Sequence, residues 1–267
     1  MKKISAVLLA VMLIVSAAVF TSCKKKTAYE VFSEALEKTK ALDSVEFNMD
    51  MATTVPDEDG SGIIKYSAKI SGLGGSPIAS GDVAVEFSGV SMKSSVYNAD
   101  GFAYIGMGEM SKTKAELDEP TAIMYDLVSM FRIVTASLPE EVFADAKVVE
   151  NSDKTNTVTV SLTQEQFEQY CKGTAFETKT YTNGLPDDGT SSYKVTIEDV
   201  KVSVTVGKDG YISKYEAGYK ISIKVSIGGS DVDFISGAVT AVGVNLINPG
   251  STVTVDVPAD LGSYVSG

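Results

Sequence analysis

Alternation of apolar and polar residues dominates the chain from residue 45 onward. Val45, Phe47, Met49 and Met51 alternate with Glu46, Asn48 and Asp50. Because successive side chains of a strand point to opposite faces, this period of two predicts a strand with one apolar face. Further runs with the same period cover 64–70, 83–87, 90–92, 158–162, 200–206, 215–227, 231–246 and 253–257.

Turn signals separate several of these strands. Residues 98–101 (Asn-Ala-Asp-Gly) predict a hairpin turn into strand 102–107, and 208–210 (Lys-Asp-Gly) predict a second one before 215–227. The alternation changes phase at Ser88-Gly89, which predicts a β-bulge. At roughly 3.3 Å per residue the run 215–227 spans roughly 43 Å. A strand of that length favours a large curved sheet over a small sandwich.

Two segments show a helical pattern instead. Thr27 and Glu30 have the spacing of a capping box, and the apolar residues that follow predict an amphipathic helix over 28–41. Residues 121–137 are apolar nearly all round, which predicts a helix buried on most sides or lining an apolar cavity. Short helices are predicted at 139–144, after Ser137 and Glu140, and behind the pair Thr163 and Gln166.

No linker or repeat divides the chain after residue 26. We therefore predict a single domain over 27–267 of the α+β class: a large antiparallel sheet, one helix before it and helices inserted between its strands.

The first 26 residues have a different character. Lys2 and Lys3 precede an apolar run over 4–20, which is typical of a secretory signal. The sequence Thr21-Ser22-Cys23 resembles the bacterial lipobox. This resemblance implies a signal peptide over 1–22, a diacylglyceryl group on Cys23, and a basic tether over 23–26 that anchors an extracytoplasmic protein to the cell membrane. An uncleaved membrane helix and an ordinary secretory signal are the alternatives.

Charge and composition narrow the function. The chain carries 35 acidic and 23 basic residues, a formal charge of −12. Five lysines and no acid precede residue 27, so the body alone carries −17. Nucleic acid is not expected as a partner, since its binding rests on basic residues, whereas a basic protein partner is compatible. The absence of histidine excludes Ser-His-Asp and Cys-His triads and histidine-ligated metals.

Individual residues offer little catalytic chemistry. Cys171 is expected to be a buried, inert thiol; a reactive thiol would need a basic neighbour, and Lys172 is the nearest. The acidic clusters 57–60 and 187–189 are read as solvated turns in preference to calcium loops. We predict no catalytic residue, metal or cofactor, and we expect that the protein is not an enzyme.

The order of elements resembles one known superfamily. A lipobox, a short tether, a helix, long alternating strands and a very apolar helix follow one another, as in the LolA/LolB-like lipoprotein carriers and related Gram-positive surface lipoproteins. The segment 35–46 (ALEKTKALDSVE) looks most family-like, and 255–258 (VDVP) is a weaker match. The resemblance implies an unclosed half-barrel whose concave face is plugged by helices and can hold an acyl chain.

Two functions follow as hypotheses. In the first, the protein carries or senses an apolar ligand, such as a lipid or acyl chain, in a cavity between sheet and helix. That cavity would be lined by Met124, Leu127, Val128 and Phe131 and gated by the loop 173–192. In the second, the protein is a structural or interaction module of the cell surface with a solid core, and its methionines are ordinary core residues.

Overall fold

The computed structural model describes residues 25–56, 61–108, 111–177, 191–227 and 230–266. The predicted signal peptide and Cys23 lie outside these residues. The strands are β1 (Ser44–Thr54), β2 (Ser61–Ser71), β3 (Ile78–Phe87), β4 (Val90–Ala99), β5 (Phe102–Gly106), β6 (Lys112–Glu116), β7 (Val148–Glu150), β8 (Asn156–Leu162), β9 (Ser191–Val206), β10 (Ile212–Ile227), β11 (Ser230–Ile247) and β12 (Val265–Ser266). The α-helices are α1 (Ala28–Lys40), α2 (Leu127–Arg132) and α3 (Gln164–Cys171).

The described strands form one sheet in the order β12-β6-β5-β4-β3-β2-β1-β11-β10-β9-β8-β7. Two antiparallel meanders, β1 to β6 and β7 to β11, are joined by the pairing of β1 with β11. β12 pairs with β6 in parallel, and the sheet does not close into a barrel. The predicted α+β class, with an open and mostly antiparallel sheet, is therefore confirmed.

The long strands β10 and β11 follow the sequence prediction, whereas β9 begins at Ser191, well before the predicted run 200–206. β9 and β10 each have 16 residues and flank the predicted turn at 208–210, while β11 has 18 residues. The turn between β4 and β5 places Asp100 at φ 53° and Gly101 at φ 82°, as expected for a tight hairpin.

The predicted bulge at Ser88-Gly89 is wrong. These two residues are the turn between β3 and β4, because Phe87 pairs directly with Val90. Both turn residues have positive φ, 46° and 80°, which suits the twist of a two-residue hairpin. The phase of the alternation changes there because the chain reverses direction.

The strand expected at 253–257 does not form. Ser44 at the start of β1 accepts a hydrogen bond at 3.0 Å from the Val253 backbone N–H. β1 is already paired with β2 and β11 on its two sides, so this segment meets no free strand edge at that point.

The single helix predicted over 121–137 is also wrong. The segment consists of a 3₁₀ turn (Pro120–Tyr125), α2 and a second 3₁₀ turn (Ile133–Thr135). Asp126 has non-helical backbone angles and caps α2, since its Oδ1 accepts from Ser129 N–H at 2.9 Å. The helix breaks because this aspartate acts as an N-cap inside an otherwise apolar run.

The helix starts were predicted with mixed success. Both residue pairs expected to form capping boxes, at the starts of α1 and α3, do so. Around 139–144 only a short 3₁₀ helix forms (Glu140–Phe143), with Pro139 at its N-cap and no side-chain cap. Ser137, predicted to cap it, instead accepts a hydrogen bond from Lys40 Nζ at 2.9 Å.

Candidate functional site

The two faces of the sheet differ sharply in polarity. Phe47 and Met49 of β1 point to the face that the helices cover, called the concave face here, and are fully buried. Asn48 and Asp50 point to the opposite face, called the convex face. The direct cross-strand pairs extend this division to the neighbouring strands. The concave face therefore carries the apolar core, and any apolar ligand would have to lie on that side.

The helical segments cover the concave face through aromatic contacts. The ring centroid of Phe131 on α2 lies 5.7 Å from that of Phe47. Phe167 on α3 lies 5.0 Å from Tyr219 of β10, and Phe32 on α1 lies 5.0 Å from Phe143. The first two contacts pack helices on the sheet, and the third packs α1 against the 3₁₀ helix that contains Phe143.

Two buried polar side chains fix the helices in place. Thr39 on α1 donates from Oγ1 to the Ala35 carbonyl at 2.7 Å and accepts from Ile212 N–H at 3.0 Å. Asn98 on β4 donates from Nδ2 to the Tyr125 carbonyl and accepts at Oδ1 from Leu127 N–H, both at 2.9 Å. Asn98 thus pairs with the Tyr125 carbonyl and the Leu127 N–H, the two backbone groups on either side of the helix break at Asp126.

The four residues predicted to line a cavity do not border a common space in the structure. Leu127 is completely buried, and Met124 is half-buried. Val128 and Phe131 border a groove of about 250 Å³ between α1, the β2–β3 loop and α2. The groove also contacts Leu73, Pro77 and Arg132. Of the predicted gate 173–192, residues 178–190 lie outside the described part of the chain.

A different part of the concave face is apolar and uncovered. Phe87, Val90 and Met92, around the β3–β4 turn, are 57%, 63% and 58% exposed. They continue into the half-buried side chains of Met51, Ile64 and Val85, which pack against the core. We call these six residues the apolar strip.

The apolar strip is continuous across four strands. Val90 lies opposite Phe87, Met92 opposite Val85, Ile64 opposite Val85, and Met51 opposite Ile64. Directly opposed side chains have Cβ atoms about 4.5–5.5 Å apart, so the members of each of these pairs are adjacent. An open depression of about 670 Å³ at the β3–β4 turn borders Phe87 and Val90, but its other strand residues, including Ile63, Glu86 and Ser91, lie on the convex face, so it is not part of the strip.

One buried polar atom lies at the inner end of the apolar strip. Tyr66 follows Ile64 on the same face of β2, lies opposite Met49 and Val83, and is only 3% exposed. Its hydroxyl has no hydrogen-bond partner among the described residues. Burial, and to a lesser degree the nearby Tyr125, raises the pKa of this phenol far above its usual value. It is therefore a neutral hydroxyl group.

The convex face carries charges of alternating sign. Lys65 bridges Glu86 at 3.1 Å in one meander, and Lys220 bridges Asp199 at 2.6 Å in the other. The C-terminal segment crosses this face: the Tyr264 ring meets Tyr104 edge-on at 5.6 Å, and Asp260 pairs with Lys112. Within each exposed pair the two charges cancel, and such pairs contribute little to stability.

The other candidate groups have unremarkable surroundings. Cys171 is fully buried, as predicted, and burial raises the pKa of its thiol. The acidic clusters 57–60 and 187–189 lie outside the described residues. In the described part of the chain, no three acidic or cysteine side chains are grouped as a metal site would need.

None of the helices in that part is long and apolar enough to cross a membrane.

Comparison with known proteins finds likeness only among solved structures. No family model and no curated protein matches the sequence. LprF from Mycobacterium bovis is 13% identical with a TM-score of 0.46, over 87% of this chain and 97% of that one. A LolA superfamily protein from Nitrosomonas europaea is 12% identical with a TM-score of 0.29, over 82% and 92%.

A third similar structure is the MucA/MucB complex of Pseudomonas aeruginosa, at 8% identity and a TM-score of 0.26, over 83% of this chain and 94% of that one. The solved structures thus include a member of the superfamily that the sequence resembles. At these identities and scores we take nothing about ligand or partner from them, and the function is argued from this chain's own residues.

Sequence reasoning missed the residues that now define the site. The apolar residues on either side of Ser88-Gly89 would have indicated an exposed apolar hairpin end, had the pair been read as a turn. Asn98 was assigned to the turn before β5, although its side chain holds the helix break. The local pattern around Tyr66 contains no signal for its unpaired hydroxyl.

Proposed function

We propose that the protein is an extracytoplasmic lipoprotein, anchored to the membrane through Cys23, that binds the apolar part of a lipid on the apolar strip. The observation that carries the proposal is the exposure of Phe87, Val90 and Met92 on the concave face. Contiguous exposed apolar patches are typical of binding surfaces, whereas isolated exposed apolar residues are common.

The chemistry of the surrounding positions supports an uncharged guest. Concave-face neighbours of the strip are Thr53, Gly62, Tyr66, Val83 and Ser94, and none of them carries a charge. Four adjacent strands about 4.8 Å apart give a surface wide enough for an acyl chain. The role proposed is binding, without a chemical reaction.

The site proposed here differs from the one predicted from the sequence. Leu127 and Phe131 are packed against the core, and Phe131 and Val128 border the small groove described above. The same packing under α2 favours the second hypothesis, a structural or interaction module with a solid core. That module would recruit a basic partner through acidic groups on its surface, and its binding would weaken with salt.

A soluble variant that begins at residue 24 tests the proposal. We expect this protein, purified without detergent, to carry lipid that native mass spectrometry detects, and to bind a fluorescent acyl probe. Met92→Asp should weaken probe binding by more than tenfold, because it places a charge on the apolar strip.

The matched control is Val257→Asp. Val257 is also 58% exposed but lies outside the strip, in the C-terminal segment. Its substitution should leave probe binding unchanged. Absence of both lipid and probe binding in the parent protein, or equal losses in the two variants, would overturn the proposal.

A further inference from the structure

The buried hydroxyl of Tyr66 is the starting point. A buried polar group without a partner destabilises a protein, so such groups are rare and their positions are informative. The Tyr66 oxygen has no partner among the described residues, although the side chain is 3% exposed. Its concave-face neighbours across the strands, Met49 and Val83, have no oxygen or nitrogen in their side chains.

The position of Tyr66 links it to the apolar strip. It lies two residues from Ile64 on the same face of β2, a separation of about 7 Å along the strand. The row of the sheet that contains Tyr66 is buried. In the next row Met51, Ile64 and Val85 are half-buried and Met92 is exposed, and in the row beyond only Phe87 and Val90 are exposed. Tyr66 is therefore the first polar side chain that a guest meets when it slides inward along the strip on β2.

The helix that packs over β2 and β3 is α2, whereas the 3₁₀ turn (Pro120–Tyr125) packs against β5 and β6. Tyr125 lies close enough to affect the pKa of Tyr66, and it ends the 3₁₀ turn (Pro120–Tyr125). Its carbonyl is held by Asn98. The end of the turn that is nearest Tyr66 is therefore fixed to the sheet through Asn98.

We propose that the Tyr66 hydroxyl donates a hydrogen bond to an uncharged oxygen of the bound lipid, such as an ester carbonyl, while the acyl chain lies on the apolar strip. This inference rests on the proposed function and adds the class of ligand. A free carboxylate is disfavoured, because a charged group buried without a cation is costly, and no basic side chain lies among the concave-face neighbours named above.

Three probes with chains of 18 carbons test the inference: methyl oleate, oleate, and 1-octadecene, which has no oxygen. Each displaces a fluorescent acyl probe from the soluble protein. We expect methyl oleate to bind about 3- to 10-fold more tightly than 1-octadecene, the range of one neutral hydrogen bond. Oleate should bind more weakly than its methyl ester.

Tyr66→Phe should abolish the preference for methyl oleate and leave the affinity for 1-octadecene unchanged. The control is Tyr97→Phe on β4, which is similarly buried, at 5% exposed, but lies on the convex face. It should retain the preference. A preference that survives in Tyr66→Phe, or that is absent from the parent protein, overturns the inference.

The thermal stability of the free protein gives a second readout. Removal of an unpaired hydroxyl breaks no hydrogen bond. The melting temperature of ligand-free Tyr66→Phe should therefore be equal to or above that of the parent protein. A clear decrease would mean that the hydroxyl has a structural partner in the free protein, and the inference would fail. If none of the three probes binds the parent protein, the proposed function itself is wrong.

Discussion

The side-chain oxygen of Asn98 accepts a hydrogen bond from the backbone N–H of Leu127 at 2.9 Å, and both residues are buried. The same amide donates to the carbonyl of Tyr125. One side chain of the sheet therefore satisfies the chain on both sides of the helix break, where the backbone groups have no helical partner.

Asn98→Ala should lower the free energy of unfolding by about 2–4 kcal/mol, because it leaves two buried backbone groups unpaired. Urea denaturation measures the loss. The control is Asn151→Ala, which removes two 2.9 Å side-chain bonds at a half-buried turn between β7 and β8. It should cost less than about 1 kcal/mol, since water replaces those bonds. Equal losses in the two variants would contradict the role assigned to Asn98.

Thr39→Val tests the attachment of α1 to β10. The substitution keeps the shape of the side chain but leaves the Ile212 N–H without its acceptor, so we expect a loss of about 1–3 kcal/mol. Thr159→Val, which removes an exposed 2.8 Å bond to Ser203, should change stability by about 0.5 kcal/mol or less. Urea denaturation measures the free energy of unfolding of both variants. An unchanged value for Thr39→Val would refute the expectation.

The Asp126 carboxyl should make stability depend on pH. Burial raises its pKa, although the Ser129 N–H partly opposes the shift. Since the folded state holds this proton more tightly than the unfolded state, the protonated form favours folding, and that contribution is lost as the pH rises through the raised pKa. Asp126→Asn keeps an oxygen acceptor for Ser129 and should be more stable than the parent at pH 7.

The advantage of Asp126→Asn should disappear below about pH 3.9, the usual pKa of an aspartate in an unfolded chain. Asp153→Asn is the control of opposite sign, because hydrogen bonds from Thr155 lower the pKa of Asp153. That variant should show no gain at pH 7. Urea denaturation at pH 7 and pH 3.5 gives both comparisons, and a pH-independent effect of Asp126→Asn would count against the shift.

The Cys171 thiol should be unreactive in the folded protein. It is fully buried, and burial raises its pKa, so little thiolate forms at pH 8. In the soluble variant, which lacks Cys23, an aromatic disulfide reagent should label Cys171 only on unfolding. Ser91→Cys, at an exposed position of β4, supplies a thiol that should react within minutes. Rapid labelling of Cys171 in native buffer would contradict its burial.

Much of the sheet could be predicted because the period of two is a local property. β10 runs over Ile212–Ile227, and its alternation is legible without any knowledge of its neighbours. The helix break at Asp126 could not be predicted in the same way. Asp126 is a possible N-cap in the sequence, but the backbone groups on either side of it, at Tyr125 and Leu127, are paired by the amide of Asn98, which the sheet brings from a distant part of the chain.

The candidate site was harder to predict for a related reason. The apolar character of Phe87 and Met92 is visible in the sequence, but their exposure depends on where the helices lie on the concave face. Val128 and Phe131 were expected to line a cavity because they are apolar, and in the structure they pack largely against the core. The pattern of apolar residues in a sequence does not show whether they pack against another element or remain exposed.

The seam between β1 and β11 has a consequence for the order of folding. Within each meander, strands that follow one another in the chain pair, mostly through short connections apart from the segment 163–190 between β8 and β9, whereas the seam joins strands near opposite ends of the described chain. Contacts between distant residues form slowly, because a long loop must close before they are made. Each meander can therefore assemble as a local unit, and the concave face takes its final curvature only when the seam closes, late in folding.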